Sequence, residues 1–190
     1  MAMEKENDIR GQILDRMRRL CSRREYCSGD IHRKAMDIVM KKADRADEAY
    51  ARETASGIVA VLVSEKFLDD RRYASAFVRD KSSLSGWGGM KIRRALAAKG
   101  LDRELIDEAL ADIDGTAARA RMRRVLEVKL RSLEKTAVRQ APVSSLDKAP
   151  GPDTARETYA LKTKLLRFAL SRGYGYEEAL QEIEVLLSGR

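Results

Sequence analysis

Phe67-Leu68-Asp69-Asp70-Arg71-Arg72-Tyr73-Ala74-Ser75-Ala76-Phe77-Val78-Arg79, followed closely by Gly86-Trp87-Gly88-Gly89-Met90-Lys91-Ile92-Arg93-Arg94-Ala95-Leu96-Ala97-Ala98-Lys99-Gly100-Leu101, decides the fold. Asp69 or Asp70 offers a carboxylate to the free amides of a helix over about 70–82. Tyr73, Ala74, Phe77 and Val78 then fall on one face of that helix. Ser83-Leu84-Ser85-Gly86-Trp87-Gly88-Gly89 reads as a turn. A helix over about 89–99 stops at Gly100, where a left-handed C-cap glycine is expected. Asp102 caps another over about 103–113, with Leu105, Ile106, Ala109 and Leu110 inward. Three short amphipathic helices cannot bury their apolar faces alone and must stack on neighbours.

Helical periodicity continues on both sides. Upstream, Ile13, Met17, Leu20 and Cys21 share a face of a helix over 9–24, and Arg16, Arg18, Arg19, Arg23 and Arg24 lie mostly on the others. Ser28 is the expected N-cap of a second helix over about 29–43. A third, over about 46–64, begins in acid (Asp44, Asp47, Glu48) and ends in the apolar run Ile58 to Val63. Downstream, a helix over about 116–134 carries Arg119, Arg121, Arg123, Arg124, Lys129, Arg131 and Lys135 against Glu127 and Glu134. Residues 136–154 hold all three prolines and read as a linker or loop. Helices over about 155–172 and 176–188 complete the chain, separated by Gly173-Tyr174-Gly175.

Composition agrees. Ala, Leu, Arg, Glu, Lys and Met, the residues that lose little freedom in a helix, dominate. Hydrophobic residues reach 44%, enough for a core, while charged residues reach 36%, well above the usual ~25%. The net charge of +8 favours polyanionic partners, nucleic acid or an acidic protein surface. Two cysteines, Cys21 and Cys27, do not make a disulfide scaffold. No stretch approaches the ~20 apolar residues of a membrane span, and the opening residues lack the apolar core of a signal peptide. A cytoplasmic location is expected.

One pattern recurs: a basic helix, an aromatic in a tight turn, then a short helix. The aromatics are Tyr26, Trp87 and Tyr174. Aligned on Tyr26 and Tyr174, Ile13 meets Leu161, Met17 meets Leu165, Leu20 meets Phe168, Cys21 meets Ala169 and Arg24 meets Arg172. Beyond the aromatic, Ile31 meets Ile92 and Ala179, and Ala35 meets Leu96 and Ile183. Apolar falls on apolar in every such column, the mark of a stacked helical repeat. Packing at the elbow is the plainer role for the three aromatics; base stacking is the sharper one.

Catalytic chemistry finds little support. Gly86 to Lys91 lacks the spacing of a phosphate-binding loop. His32, the only histidine, sits beside Arg33 and Lys34 on a helix, a poor setting for a nucleophilic triad. Cys21, Cys27 and His32 lack both the spacing and the fourth ligand of a zinc site. No cofactor, metal or enzymatic activity is expected. The functional residues are instead basic: Arg24, Arg79, Lys81, Lys91, Arg93, Arg94, Arg123, Arg124, Arg167 and Arg172, placed around the elbows or on the seventh helix. For about half of them, a solvated face with i,i+4 ion pairs is the simpler account.

The two stretches quoted first resemble the RecX family, regulatory proteins of the RecA recombinase. Leu68-Asp69-Asp70 with Tyr73-Ala74, then Gly86-Trp87-Gly88, then Ile92-Arg93 with Leu96 and Gly100-Leu101, follow that family's order. Arg23-Arg24-Glu25-Tyr26-Cys27-Ser28 and Leu165-Leu166-Arg167-Phe168-Ala169-Leu170-Ser171-Arg172-Gly173-Tyr174 look like its first and third elbows. The resemblance spans about residues 10–188, with 136–154 longer than the family's usual connection. It implies an elongated all-α protein of about nine helices in three tandem three-helix units, here 9–66, 67–114 and 115–190, the last containing the linker near 136–154. It implies a non-enzymatic modulator, usually an inhibitor, acting in homologous recombination, DNA repair and the SOS response. Such a protein binds in the groove of the RecA–single-stranded DNA filament and affects filament growth, ATP hydrolysis and strand exchange. The expected partners are the RecA filament and single-stranded, with or without double-stranded, DNA; a monomer is expected. The competing reading is a general DNA-binding protein that competes for the strand.

Overall fold

The computed structural model describes residues 2–42, 47–140 and 153–188, and among these the chain is helical, without strands. The all-α class expected from the sequence is the class observed. The helices are α1 (Ala2–Cys21), α2 (Ser28–Lys42), α3 (Glu48–Ser64), α4 (Asp70–Ser83), α5 (Gly89–Ala97), α6 (Arg103–Ala111), α7 (Gly115–Gln140), α8 (Asp153–Arg172) and α9 (Tyr176–Ser188). They form two compact units: Met1–Phe77 with Ala95–Leu110, and Val78–Arg94 with Ala111–Arg190.

In the first unit, Ile13 and Met17 of α1 join Ile31, Ala35 and Val39 of α2 and Ala51, Ala55, Ile58 and Leu62 of α3 in one core. Alanines at 35, 51 and 55 let the α2 and α3 backbones approach closely, and these two helices pack extensively. Each fully buried Ile, Leu or Met contributes roughly 1.5–3 kcal/mol relative to exposure. Asp47 accepts a hydrogen bond from the Tyr50 amide at 2.7 Å to cap α3, and Asp69 accepts one from the Arg72 amide at 2.9 Å to cap α4. Asp70 turns away and receives the Ser28 amide at 2.7 Å, tying the start of α4 to the start of α2. Ser28 therefore lies inside its helix, and the Cys27 carbonyl, which accepts from the Ile31 amide, stands at the cap position expected for Ser28. Cys27 is fully buried and Cys21 partly so; burial pushes both thiols up.

Lys99 donates to Asp30 at 2.5 Å, Arg33 donates to the other oxygen of the same carboxylate, and the Lys99 ammonium lies 5.7 Å from the centre of the Tyr73 ring. Gly29 permits this junction: a β-carbon there would sit 2.0 Å from the Lys99 carbonyl oxygen. The α3 end closes with Lys66 at φ 60°, the described non-glycine residue in the left-handed region.

In the second unit, Met122, Leu126 and Leu130 make a stripe along α7 that meets Leu165 and Ala169 of α8 and Ala179 and Ile183 of α9. Glu182 lies in this interior at 3% exposure, its Oε1 receiving Arg119 and its Oε2 without a partner. The downstream repeat columns are buried throughout: Ile31, Ile92 and Ala179 in one, Ala35, Leu96 and Ile183 in the other.

Several helix ends differ from expectation. α1 begins at Ala2 and ends at Cys21, short of residue 24. α7 runs on to Gln140, because Thr136 to Gln140 lack a helix breaker before Pro142. α8 begins at Asp153. The remainder of the 136–154 linker lies outside the described residues.

Candidate functional site

The second unit builds its site from two turns. Just past the end of α4, the Leu84 amide donates to the Asp80 carbonyl, and the Trp87 amide reaches back to the Lys81 carbonyl, each at 2.9 Å. Gly86 makes this reversal at φ 61°, with Val125 where a β-carbon would need room. The turn presents Trp87, half-buried, with the Lys91 ammonium 4.7 Å and the Lys81 ammonium 5.1 Å from its ring centroid. These are cation–π distances.

The turn after α8 seats directly on this one. The Gly88 amide donates to the Arg172 carbonyl at 2.8 Å, and the Met90 amide to the Gly173 carbonyl at 3.1 Å. Arg172 Nη1 donates to the Ser85 carbonyl at 3.0 Å, and the Tyr174 hydroxyl donates to the Gly86 carbonyl at 3.1 Å. Backbone meets backbone because both residues at the contact are glycine. Burial holds the Tyr174 phenol above its ordinary range against the opposing pull of Arg121 and Arg172, so it stays a donor.

Beside this junction lies a groove of about 650 Å³, lined by Ser82 to Gly86, by Arg121, Arg124, Val125, Val128, Lys129 and Ser132 of α7, and by Phe168 and Arg172 of α8. Lys129 and Arg172 both lie over the Phe168 ring, at 5.4 and 5.2 Å. No carboxylate lines the groove among the described residues. An anion entering it meets Arg121, Arg124, Lys129 and Arg172. A second cavity of about 440 Å³, lined by Arg119, Arg121, Glu178 and Gln181 with the glycines of both turns, carries charge of both signs.

The ten basic candidates divide accordingly. Lys81 and Lys91 meet on Trp87, and Arg124 and Arg172 meet in the groove. Arg79, Arg93, Arg94, Arg123 and Arg167 are exposed, with Arg123 3.4 Å from Glu127. Arg24 belongs to the other unit, where its guanidinium lies 4.5 Å from the Tyr26 ring centre. Arg24 and Arg172 align in sequence yet act differently. The position aligned with Phe168 is Leu20, so Arg24 lacks that ring and turns onto Tyr26. Tyr26 and Tyr174 are buried, at 7% and 8% exposure, as elbow packing requires. Arg121, Lys129, Phe168 and the Ser82–Ser85 run were not among the candidates. A signal existed on α7: Arg121, Val125, Val128 and Ser132 repeat at helical spacing as a face neither acidic nor fully apolar.

The family model for the second three-helix domain of RecX matches residues 69–110, which contain α4, α5 and the Trp87 turn. The regulatory protein RecX of Clostridium botulinum (strain Eklund 17B / Type B) is 33% identical over 130 residues, 68% of this chain and 52% of that relative, so the chain spans about half of its length. The regulatory protein RecX of Mycobacterium sp. (strain KMS) is 30% identical over 140 residues, 74% of this chain and 68% of that relative. The chain belongs to the RecX family. The crystal structure of RecX from Lactobacillus salivarius shares its fold, with a TM-score of 0.64 over 95% of this chain and 97% of the other at 19% identity. In this RecX-family chain, no described helix is long and apolar enough to cross a membrane.

Proposed function

We propose that this chain regulates a RecA recombinase, as an inhibitor, by binding in the groove of the RecA–single-stranded DNA filament. The observation that carries the reading is the cation-lined groove: Arg121, Arg124, Lys129 and Arg172 line it together, and no described carboxylate is among its lining residues. Family membership supports it, since the relatives are named regulatory proteins. Lys81 and Lys91 at Trp87, the exposed Arg79, Arg93, Arg94, Arg123 and Arg167, and Arg24 beside Tyr26 supply further contacts to phosphates or to carboxylates of the recombinase. Three repeats, 9–66, 67–114 and 115–190, hold these weak contacts on one scaffold, and multivalency turns them into stable occupancy. Occupancy then slows subunit addition, ATP turnover and strand exchange with no chemistry by this protein. It acts in the cytoplasm as a monomer and needs no cofactor.

The net charge of +8 favours a second reading, general DNA binding with competition for the strand. Titrating the protein into a recombinase ATPase assay on single-stranded DNA at two salt concentrations separates them. Inhibition below one molecule per recombinase subunit that persists at the higher salt is the expected result. Inhibition only at saturating amounts and low salt means strand competition, because phosphate contacts weaken steeply with salt. No change in ATPase or strand exchange at stoichiometric excess overturns both.

A further inference from the structure

The groove beside the two seated turns is apolar as well as basic. Leu84 is 83% exposed and Val128 65% exposed, and both line it together with Val125. Neither is needed by the core, and exposed aliphatic side chains beside a concave surface are a common mark of a protein contact. The aromatic ring available there, Phe168, already carries Lys129 and Arg172 at cation–π distance. A nucleobase seeking a stacking platform would have to displace a cation, whereas single-strand binders commonly present aromatic rings to bases. Guanidinium groups, for their part, match carboxylates bidentately.

We propose that the groove docks a segment of another protein in which an aliphatic side chain is flanked by carboxylates. The aliphatic residue packs on Leu84 and Val128. The carboxylates pair with Arg121 and Arg124, and Lys129 and Arg172 supply positive potential from the far wall. Charge complementarity identifies this occupant: a wall with four cations and no described acid selects an acidic segment, and the aliphatic anchors select protein over nucleic acid. The inference rests on reading the groove as an anion-accepting site, and is independent of which recombinase the chain regulates.

The test uses the full chain and a short fluorescent peptide alternating Glu with Leu, without recombinase or DNA. Polarisation is compared with that of the same peptide carrying Gln for Glu or Ser for Leu, and with that of a fluorescent oligothymidylate. The Glu/Leu peptide is expected to bind, and each replacement to weaken it. Leu84→Ser combined with Val128→Ser should weaken the peptide about tenfold or more while leaving the oligonucleotide unchanged. Arg124→Glu should weaken the peptide about tenfold. Because these side chains are solvent-exposed, circular dichroism of the variants should match the parent. Any of four results overturns the proposal. The peptide fails to bind, or binds equally well to the Leu84→Ser/Val128→Ser protein. The oligonucleotide alone responds to Arg124→Glu, which makes the groove a nucleic-acid site. Self-association of the protein disappears with Leu84→Ser, which makes a second copy its occupant. Failure here with intact ATPase inhibition would leave the proposed regulation standing, and the converse would leave the groove standing.

Discussion

Replacing Gly88 with alanine places a methyl group 2.3 Å from the Gly173 carbonyl oxygen, 2.4 Å from its carbon and 2.5 Å from the Tyr174 amide nitrogen. All three atoms are backbone, so no side chain can swing aside and the two turns must separate. Four hydrogen bonds span the contact: Gly88 to Arg172, Met90 to Gly173, Arg172 to Ser85 and Tyr174 to Gly86. At about 1 kcal/mol net for each, full separation costs about 4 kcal/mol, and a partial shift about 2 kcal/mol. Gly88 also caps α5, since its carbonyl accepts from the Ile92 amide, but glycine and alanine differ there by only about 0.5 kcal/mol. The junction dominates. A fall in Tm of about 4–16 °C is expected for a chain of this length, together with weaker peptide binding, since Ser85 and Gly86 form one wall of the groove. Gly115→Ala is the matched control. Its β-carbon meets nothing within 4 Å at the start of α7, so the same chemical change there should be neutral or stabilising by up to about 1 kcal/mol. Urea and thermal melts followed by circular dichroism read both. A Gly88→Ala protein within about 0.5 kcal/mol of the parent would refute the backbone-seating argument.

Tyr174→Phe removes only the hydroxyl that donates to Gly86, and should cost about 1–2 kcal/mol in a urea melt with the groove otherwise kept. Arg119→Ala leaves the Glu182 carboxylate, whose side chain is 4% exposed, without its cation. It should destabilise by about 1–3 kcal/mol, and adding Glu182→Met should recover most of that loss, because an apolar residue removes the stranded charge. Asp30 is titratable within the first unit: burial opposes its charge, but hydrogen bonds from Lys99, Cys27 and Arg33 prevail and hold its carboxyl below the ordinary range. Its contribution is therefore complete above the unfolded carboxylate range near about pH 4 and is lost as pH falls through the lower folded value. Asp30→Asn should cost about 1–2 kcal/mol at pH 7, and the gap should narrow in melts carried progressively below the ordinary carboxylate range.

The helices were legible because periodicity and caps are local. Asp69 caps α4, Gly100 and Gly173 adopt positive φ where a stop was expected, and the apolar columns aligned on Tyr26, Trp87 and Tyr174 are buried beyond each elbow. Misreadings came where a tertiary partner outranked the local preference. Ser28 has the side chain of a good N-cap, but its amide is taken by Asp70, forty-two residues away, and Cys27 stands at the cap. Lys66 holds a left-handed φ that composition assigns to glycine. The cationic excess of α7 was plain in the sequence, yet its arginines separate by direction alone: Arg119 turns onto Glu182, Arg124 into the groove and Arg123 towards Glu127. Phe168 and Ser85 joined the site only through the seating of one turn on another, a relation between residues more than eighty positions apart that no window of sequence contains.

The state of the two cysteines has a practical consequence. Cys27 is sealed in the interior and Cys21 is partly covered, and burial keeps both thiols protonated at neutral pH. Maleimide dyes attack thiolates, so the native thiols react slowly. A cysteine introduced at the exposed position 132, on the α7 wall of the groove, would take the dye first, leaving the parent thiols in place. One labelled molecule would then report, by its own fluorescence, whatever arrives at the cation-lined wall.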